Sequence, residues 1–388
     1  MTRSTDPGRA RTGRRALAAA VAIGALLLTG CTSTAGAGTA GAAGADASAE
    51  ASVVCDSATA VIAALPDAAP PKGELTGPAT ACVPDSDIHA PDPIAPVLPV
   101  TVTDAQSTEV TVESADRILA IDVSGTLAST VFALGLGDRV VGRDASTGFA
   151  EAADLPLVTQ NGHQLNGEAI LALDPTVILT DSSVGPWDVV LQMRDAGIPV
   201  VVMSPERSMD TLGDLVTEVA GALGVAEAGV ALADSATAAV EASAAGIDAI
   251  VPDEPAERLR MMFLYVRGAA NVYYVFGEDS GADELIRALG GIDAAAEIGI
   301  TDMRPMTAEA IVTAAPDVIL VMSKGLESVG GVDGLLESVP AIAQTPAGEH
   351  RRIVDAADHL ILSFGPDYST VIDALGAALY ADAPAGDS

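Results

Sequence analysis

Two segments of this chain, residues 167–179 and 308–320, have nearly the same sequence. Each starts with a small residue and Glu-Ala-Ile, reaches a proline, and ends in Val-Ile-Leu. The pattern predicts a short helix, a break at the proline and a buried strand. A unit that recurs in this way indicates two similar α/β lobes, and two lobes enclose a cleft between them.

The start of the chain has the composition of an export signal. A basic stretch precedes an apolar run at residues 16–28, and Leu-Thr-Gly then leads into Cys31. This pattern resembles a bacterial lipoprotein processing site, in which the cysteine is lipidated and becomes the mature N-terminus. The alternative is a membrane-spanning anchor, but the apolar run is shorter than the ~20 residues that such a helix needs. We therefore predict an extracytoplasmic lipoprotein, anchored to the cell membrane through Cys31.

The chain is strongly acidic, with a formal net charge of −34. Without residues 1–30, 14 Lys and Arg stand against 52 Asp and Glu, so the net charge becomes −38. Such acidity argues against nucleic acid or an anionic lipid surface as a partner. We interpret it as a source of solubility.

Cys55 and Cys82 are the cysteines that remain besides Cys31. Because an exported chain meets an oxidising environment, we predict a disulfide between these two residues. Two free thiols, or a pair of metal ligands, are the alternatives.

The chain divides into regions of distinct composition. Strand and helix patterns alternate from residue 118 onward, which favours parallel sheets covered on both faces. A stretch without proline near 209–247, with a break at Gly224, predicts a long helix between the lobes. We predict five regions: a lipoprotein signal peptide (1–30), a lipid-anchored flexible leader rich in Pro, Ala and Gly (31–112), an N-terminal α/β lobe (113–207), a bridging helix (208–250) and a C-terminal α/β lobe (251–388).

His163 is the histidine whose position points to function. It lies in a polar loop, Thr-Gln-Asn-Gly-His-Gln-Leu-Asn, that leaves the end of a predicted parallel strand. Ligands of open α/β sheets bind in loops at this end of the strands. The ordinary alternative is a solvated loop histidine beside an Asn-Gly turn. The chain has no Gly-x-Ser-x-Gly, P-loop or His-Glu-x-x-His motif, so we predict no enzymatic activity.

Tyr265 and Arg267 form the second candidate site. On a strand their side chains share one face, because side chains alternate with period two. A nearby guanidinium favours the ionised phenolate, an anionic oxygen ligand suited to ferric iron. The alternative is a packed tyrosine whose hydroxyl is satisfied by Arg267. Tyr273 and Tyr274 are either walls of a flat pocket or ordinary strand aromatics, and Met322 either contacts a porphyrin or fills the core.

Glu168 and Glu309 occupy the same position in the two repeats. Each follows a predicted N-cap, Asn166 or Thr307, and a carboxylate in the first turn of a helix is favoured by the helix dipole. Matched exposed carboxylates on two lobes also suit docking onto a basic partner. Both explanations stay open at this point.

With these residues identified, the chain from about 115 to 380 resembles the substrate-binding lipoproteins of bacterial haem, cobalamin and siderophore ABC importers. The repeated segment is typical of that superfamily. The haem-binding branch of HmuT type is indicated more narrowly by Val-Val-Gly-Arg-Asp (140–144), Val-Thr-Gln-Asn-Gly-His (158–163) and Phe-Leu-Tyr-Val-Arg-Gly (263–268).

The resemblance implies a class III substrate-binding protein, with two Rossmann-like lobes of parallel sheet joined by a long helix. It implies roles for seven residues: His163 and Tyr265 as axial ligands of haem iron, Arg267 as hydrogen-bond donor to Tyr265, Met322 beside the haem, Arg143 as a propionate or pocket residue, and Glu168 and Glu309 as docking residues for arginines of the permease. Tyr273 is retained as a pocket wall.

We therefore predict a protein that carries haem as cargo and delivers it to an ABC permease and its ATPase, with surface haem-relay proteins as further candidate partners. Two axial ligands leave no open coordination position for oxygen chemistry. The nearest alternative is a ferric siderophore or cobalamin carrier of the same fold. A haem enzyme and a cell-surface interaction module are the alternatives from other functional classes.

Overall fold

The computed structural model describes residues 65–83 and 94–381, which lie within one compact unit. The strands of this part of the chain are β1 (Ala79–Thr80), β2 (Val100–Thr103), β3 (Glu109–Val112), β4 (Ile118–Ile121), β5 (Val140–Gly142), β6 (Thr159–Gln160), β7 (Gln164–Leu165), β8 (Val177–Thr180), β9 (Val200–Val202), β10 (Arg260–Arg267), β11 (Val272–Phe276), β12 (Ile292–Asp293), β13 (Met303–Pro305), β14 (Val318–Met322) and β15 (Ile353–Ala356). The helices are α1 (Thr126–Val131), α2 (Gly167–Ala172), α3 (Trp187–Asp195), α4 (Leu212–Ala222), α5 (Ala226–Asp248), α6 (Ala282–Ala288), α7 (Ala294–Glu297), α8 (Ala308–Ala314), α9 (Ser323–Glu327), α10 (Gly331–Ser338), α11 (Pro346–Glu349) and α12 (Tyr368–Tyr380). Among these helices none is both long enough and apolar enough to span a bilayer.

The N-terminal lobe is built on a parallel sheet in the order β5-β4-β8-β9. Every residue of β4 and β8 is buried, as expected for strands covered on both faces. Helices α1 and α4 pack on one face of the sheet, while α2 and α3 pack on the other. The prediction of an α/β lobe with a parallel sheet is confirmed here.

The C-terminal lobe contains a larger sheet in the order β1-β15-β14-β10-β11-β13, and β12 also pairs with β10. Strands β15, β14 and β10 are parallel, but β11 runs antiparallel to both β10 and β13. The reason is the connection: a single short turn, Gly268–Ala270, joins β10 to β11, and a parallel pair would need a much longer crossover. This sheet is therefore mixed, whereas the sequence predicts a parallel one.

The prediction that residues 31–112 form a flexible leader is wrong for the two stretches of it that the structure describes, 65–83 and 94–112. Strand β1 extends the C-terminal sheet beside β15, and Thr80 Oγ1 donates to Asp355 Oδ1 at 2.8 Å. Strands β2 and β3 form a hairpin whose Val110 and Val112 are buried in the N-terminal lobe. Although prolines lie nearby, valines alternate with polar residues in β2 and β3, and this alternation buries one face of the hairpin. The leader thus packs on both lobes.

Cys82 follows β1 and is disulfide-bonded. Its predicted partner Cys55 lies outside the described residues, so that pairing stays a prediction. Cys31 and the signal peptide also lie outside them.

The predicted bridging helix, residues 208–250, is two helices in the structure, α4 and α5. The break lies at Gly224, whose φ of 73° is in the left-handed region that favours glycine. Helix α4 packs against α5 so closely that a Cβ on Gly229 would lie 2.2 Å from the Cβ of Ala220. Helix α5 has 23 residues and is about 35 Å long. It also packs on α12, so it connects the region of α4 with the C-terminal lobe.

Candidate functional site

His163 lies at the tip of the hairpin β6–β7, directly after two residues with left-handed backbone. Asn161 has a φ of 50° and Gly162 a φ of 89°, conformations that asparagine and glycine adopt most readily. The side chain is exposed, and its Nδ1 lies 3.5 Å from Ser146 Oγ, the outer limit of a hydrogen bond. The imidazole is therefore available to a ligand and only weakly held.

Tyr265 lies near the carboxyl end of β10, a central strand of the other lobe. Its ring is partly buried and stacks on Phe276, with ring centroids 6.1 Å apart. The guanidinium of Arg267 lies over the Tyr265 ring, 4.4 Å from its centre. This is a cation–π contact with the ring face, whereas the resemblance implies a hydrogen bond to the hydroxyl.

Two side chains contact the guanidinium of Arg267, those of Asp358 and Met322. Asp358 Oδ2 accepts a hydrogen bond from Arg267 Nη2 at 2.8 Å, and Asp358 Oδ1 accepts one from the backbone N–H of Lys324 at 2.9 Å. The sulfur of Met322 is 3.8 Å from the same Nη2. Gly325 leaves room for the guanidinium, because a Cβ there would lie 3.1 Å from Arg267 Nη1. Asp358 is a functional candidate that sequence reasoning missed, since no local pattern links it to a strand 91 residues earlier.

Tyr273 is not beside Tyr265. In the β10–β11 pairing Tyr265 is directly opposite Tyr274, so these two side chains lie on the same face of the sheet. Tyr273 points to the other face and packs against the core there, together with Val275. Of the two tyrosines that the sequence analysis names as candidate pocket walls, Tyr274 is therefore the one on the face of Tyr265, and a role of Tyr273 toward a ligand stays a prediction. A shift of one position on a strand is enough to change the face.

Met322 and Arg143 have ordinary contacts in the structure. Met322 ends β14 and packs against the core of the C-terminal lobe, in addition to its contact with Arg267. Arg143 follows β5 and turns onto its own loop, where its Nη1 donates to the carbonyls of Asp144 and Thr147. A role of Arg143 toward a ligand stays a prediction.

A buried acidic cluster lies at the carboxyl edge of the N-terminal sheet. Asp122, Asp144 and Asp181 follow β4, β5 and β8, and all three side chains are buried. Arg207 Nη2 is 2.5 Å from Asp181 Oδ2 and 3.4 Å from Asp122 Oδ2. Burial raises the pKa of Asp122 to about 7, although Arg207 opposes this shift. Burial also raises the pKa of Asp144.

This cluster supports the loop next to His163. Asp144 Oδ1 accepts hydrogen bonds from the backbone N–H groups of Ser146 and Thr147, both at 2.8 Å. Ser146 in turn donates through its hydroxyl to the carbonyl of Val123 at 2.5 Å. Ser146, which contacts His163, is thus held in place by the buried carboxylate of Asp144.

The two lobes touch beside this loop. Thr126 Oγ1, at the start of α1, donates to the carbonyl of Ser363 in the C-terminal lobe. A Cβ on Gly148 would lie only 3.1 Å from His359 Nδ1, so the glycine allows the imidazole to pack on its backbone. The segment that contains His359 directly follows Asp358. The partner of Arg267 therefore lies at the contact between the lobes.

Glu168 and Glu309 are both exposed in the first turns of α2 and α8. The predicted N-caps are confirmed: Asn166 accepts from the N–H of Ala169 at 3.2 Å, and Thr307 from that of Ala310 at 3.1 Å. Among the described residues, no group of three His, Cys, Asp or Glu side chains is arranged to hold a bare metal ion.

Residues 122–360 match the family described as periplasmic binding protein. This match covers both lobes, from the end of β4 to the turn that follows β15. The chain belongs to the periplasmic binding protein family. Its two α/β lobes and the helices that connect them have the architecture of class III members of this family.

Solved structures of similar members are haem-binding proteins. The structure of the haem-binding protein HmuT has 41% sequence identity and a TM-score of 0.74, covering 80% of this chain and 99% of that one. The haem-binding protein RhuT from Roseiflexus sp. RS-1 has 37% identity and a TM-score of 0.62, covering 68% of this chain and 98% of that one. Other structures show HmuT with one arginine, one histidine or one tyrosine replaced by alanine, and that arginine and tyrosine are two residues apart, like Tyr265 and Arg267.

A curated relative has a different ligand in its name. The cobalamin-binding protein of Halobacterium salinarum is 31% identical over 251 residues, which are 63% of this chain. The match spans 65% of the length of that relative.

Proposed function

We propose that this protein binds haem outside the cytoplasm and delivers it to an ABC permease and its ATPase. The observation that carries the proposal is the position of two donor side chains on separate lobes. His163 is exposed at a hairpin tip in one lobe, and Tyr265, under the guanidinium of Arg267, lies near the carboxyl end of a strand in the other. Ligands of open α/β sheets bind at this edge.

The chemistry of the donors suits haem iron. A porphyrin supplies four nitrogen ligands, so the protein needs to supply only the two axial ones. A neutral imidazole and a phenolate are both established axial ligands of ferric haem. Arg267 lies over the ring of Tyr265, and Tyr274 and Phe276 add apolar ring surface on the same face of the sheet. The similarity to HmuT and RhuT supports the same ligand class.

Transport accounts for the remaining features. A substrate-binding protein that gives up its cargo needs ligands on two lobes that can separate, and one axial bond would break on opening. Glu168 and Glu309, exposed in matching first turns, suit docking to arginines of the permease. The proposed lipid on Cys31 keeps the protein at the membrane that contains the permease.

Haemin titration of the full-length protein tests the proposal. We expect one haemin per chain, with a Soret band that changes in Tyr265→Phe and in His163→Ala. Tyr265→Phe keeps the ring and removes only the oxygen, so it isolates coordination from packing. Arg304, exposed at the far strand β13, provides a control substitution, Arg304→Ala, which leaves the spectrum unchanged. Identical spectra in all four proteins would refute the axial assignment.

Cobalamin is the second candidate, because the curated relative at 31% identity is a cobalamin-binding protein. A competition titration separates the two ligands. Cyanocobalamin at a hundredfold excess leaves haemin bound if haem is the cargo. Displacement of haemin, or binding of cyanocobalamin with no haemin binding, would favour the cobalamin function.

A further inference from the structure

Residues 357–365, which follow strand β15, contact both Arg267 and the N-terminal lobe, and we name them the contact segment. Near its start, Asp358 accepts the hydrogen bond from Arg267 Nη2 at 2.8 Å. Near its end, the carbonyl of Ser363 accepts the hydrogen bond from Thr126 Oγ1. One short stretch of the C-terminal lobe therefore connects this guanidinium with helix α1 of the other lobe.

The contact segment meets the N-terminal lobe at two further places, each with a glycine on one side. A Cβ on Gly365 would lie 3.1 Å from Ser129 Oγ, so the glycine lets α1 approach the backbone of the segment. On the other lobe, Gly148 lets His359 pack on its backbone. The donor Thr126 is itself buried, with 1% of the residue exposed. These contacts exist only while the two lobes touch, since each joins residues of different lobes.

Hydrogen bonds within the contact segment hold its two ends in a fixed relation. The N–H of Ile361 donates to the carbonyl of Ala357 at 3.1 Å, and the carbonyl of Ile361 accepts from the buried hydroxyl of Tyr368 at 2.9 Å. The ring of Phe364 packs on that of Tyr368, with centroids 4.5 Å apart. A turn closed in this way moves as a unit. A displacement of the end that contacts α1 therefore also displaces the start, where Arg267 is bound.

On the N-terminal lobe, the same contact is linked to His163. The backbone N–H of Thr126 donates to Asp122 Oδ2 at 3.3 Å, and the N–H of Asp122 donates to Asp144 Oδ2 at 2.8 Å. Asp144 also holds the loop of Ser146, the residue that contacts His163. A continuous set of contacts thus runs from one candidate ligand, across the contact between the lobes, to the other.

We propose that Thr126 is a positioning residue of the haem site and acts on Tyr265, in the other lobe, through the contact segment. The inference rests on the proposed function and goes beyond it, because it assigns a role to a residue that touches neither candidate ligand. While the lobes touch, Thr126 holds the contact segment in place. Asp358 then keeps Arg267 over the ring of Tyr265, and the ring directs its oxygen to the iron.

This arrangement makes haem affinity depend on the contact between the lobes. When the lobes separate, Ser363 loses its donor on α1 and the contact segment is no longer held. Asp358 then restrains Arg267 less, and the oxygen of Tyr265 becomes a poorer ligand for iron. Separation of the lobes and loss of the cargo are thereby coupled, because both depend on the same conformational change.

Matched threonine variants of the full-length protein test the proposal by haemin titration. Thr126→Val removes the hydroxyl that donates to the other lobe and keeps the shape of the side chain. Thr130→Val is the control, since Thr130 is also buried on α1 but donates within its own helix, to the carbonyl of Thr126 at 2.8 Å. We expect Thr126→Val to weaken haemin binding about fivefold and to shift the phenolate-to-iron charge-transfer band. Thr130→Val should change neither, and Thr126→Ser, which retains the hydroxyl, should restore both.

A double-mutant cycle decides whether the effect passes through Asp358. In the Asp358→Asn background, Thr126→Val should change haemin affinity by less than about twofold, because the route to Arg267 is already interrupted. Full additivity of the two substitutions would overturn the proposal. Gly148→Ala, at an exposed glycine, is an independent variant whose Cβ presses on His359. It should weaken haemin binding in the wild-type background and have no further effect in the Asp358→Asn background.

The haem-free protein offers a measurement that does not depend on the cargo. The amide of Lys324 donates to Asp358 Oδ1 at 2.9 Å, so its hydrogen exchange reports the position of Asp358. We expect this exchange to be faster in Thr126→Val and unchanged in Thr130→Val, and equal rates in the two variants would contradict the proposal. If wild type binds no haemin while the Lys324 amide responds as expected, the haem function fails and the coupling between the lobes stands. If wild type binds haemin and neither measurement separates the two threonine variants, the coupling alone fails.

Discussion

The two lobes hold their candidate ligands in different ways. His163 is exposed on a three-residue turn, and its side chain has one contact at the outer limit of a hydrogen bond. Tyr265 belongs to a strand that is paired on both sides, and its ring contacts both Phe276 and the guanidinium of Arg267. Asp358 holds that guanidinium through a 2.8 Å hydrogen bond.

The difference indicates a division of work. If the proposed function holds, the tyrosine lobe presents a preformed surface for a flat ligand, and the histidine lobe completes the coordination with a weakly held side chain. Because breaking the weaker contact costs less free energy, cargo release should begin at the histidine. The tyrosine should then keep the ligand until the lobes are apart.

Backbone protection gives the largest expected contrast between the two sides. Hydrogen exchange of the ligand-free protein should be at least about a thousandfold slower at the amide of Tyr265 than at the amide of Gly162, because core strands open only with global unfolding while turns open locally. Mass spectrometry with peptide-level resolution measures both segments in one experiment. Similar rates at the two sites would remove the basis of the comparison.

Loss of the Tyr265 hydroxyl should weaken haemin binding more than loss of the His163 imidazole. We expect Tyr265→Phe to weaken binding on the order of 100-fold, equivalent to about 2.7 kcal/mol, and His163→Ala to weaken it on the order of tenfold. Competition with an apo-globin of known affinity measures both values. A larger loss in His163→Ala than in Tyr265→Phe would reverse the proposed order of release.

The residues that support the two candidate ligands should also differ in how strongly they affect haemin binding. Asp358→Asn leaves Arg267 without its anionic partner, and we expect roughly tenfold weaker haemin binding, a typical effect of a residue that positions a ligand. Ser146→Ala removes the 3.5 Å contact to His163 together with the hydrogen bond to the carbonyl of Val123, and the loss should stay within threefold because the contact to His163 is weak. Asp333→Asn, which breaks the exposed ion pair with Arg351, controls for charge removal and should have no effect on binding.

The smallest expected effect is a pH dependence in the N-terminal lobe. Burial raises the pKa of Asp122 from 3.8 to about 7, so the folded protein holds this proton more tightly than the unfolded chain does. The resulting stability is complete below pH 4 and is lost as the pH rises toward about 7. Relative to wild type, Asp122→Asn should therefore gain about 3 °C or more in Tm between pH 5 and pH 8. Calorimetry of both proteins at the two values measures this gain, and a constant difference between them would contradict it.

The repeat made much of the fold predictable. Periodicity and the proline breaks indicated the helices and strands of both lobes, and the capping pattern indicated where α2 and α8 begin. These features are local, because a cap or a buried strand is determined by a few neighbouring residues. The same locality explains why the fully buried strands β4 and β8 could be recognised without any knowledge of their partners.

Features that depend on distant pairing could not be predicted in this way. The face of β11, and with it the choice between Tyr273 and Tyr274, is set by its register with β10. The partnership of Asp358 with Arg267 spans 91 residues. In the leader, β1 depends on the edge strand β15 and the β2–β3 hairpin on the core of the N-terminal lobe, and the prolines nearby suggest a structureless linker when they are considered alone.

The leader has a mechanical consequence for the whole molecule. Its first described stretch pairs with the sheet of the C-terminal lobe and its second packs in the N-terminal lobe, so the polypeptide connects the two lobes twice, between these stretches and again at α5. Two lobes joined by two connections rotate relative to each other about the axis that passes through both connections. Opening of the two lobes should therefore occur about one preferred axis and not in all directions.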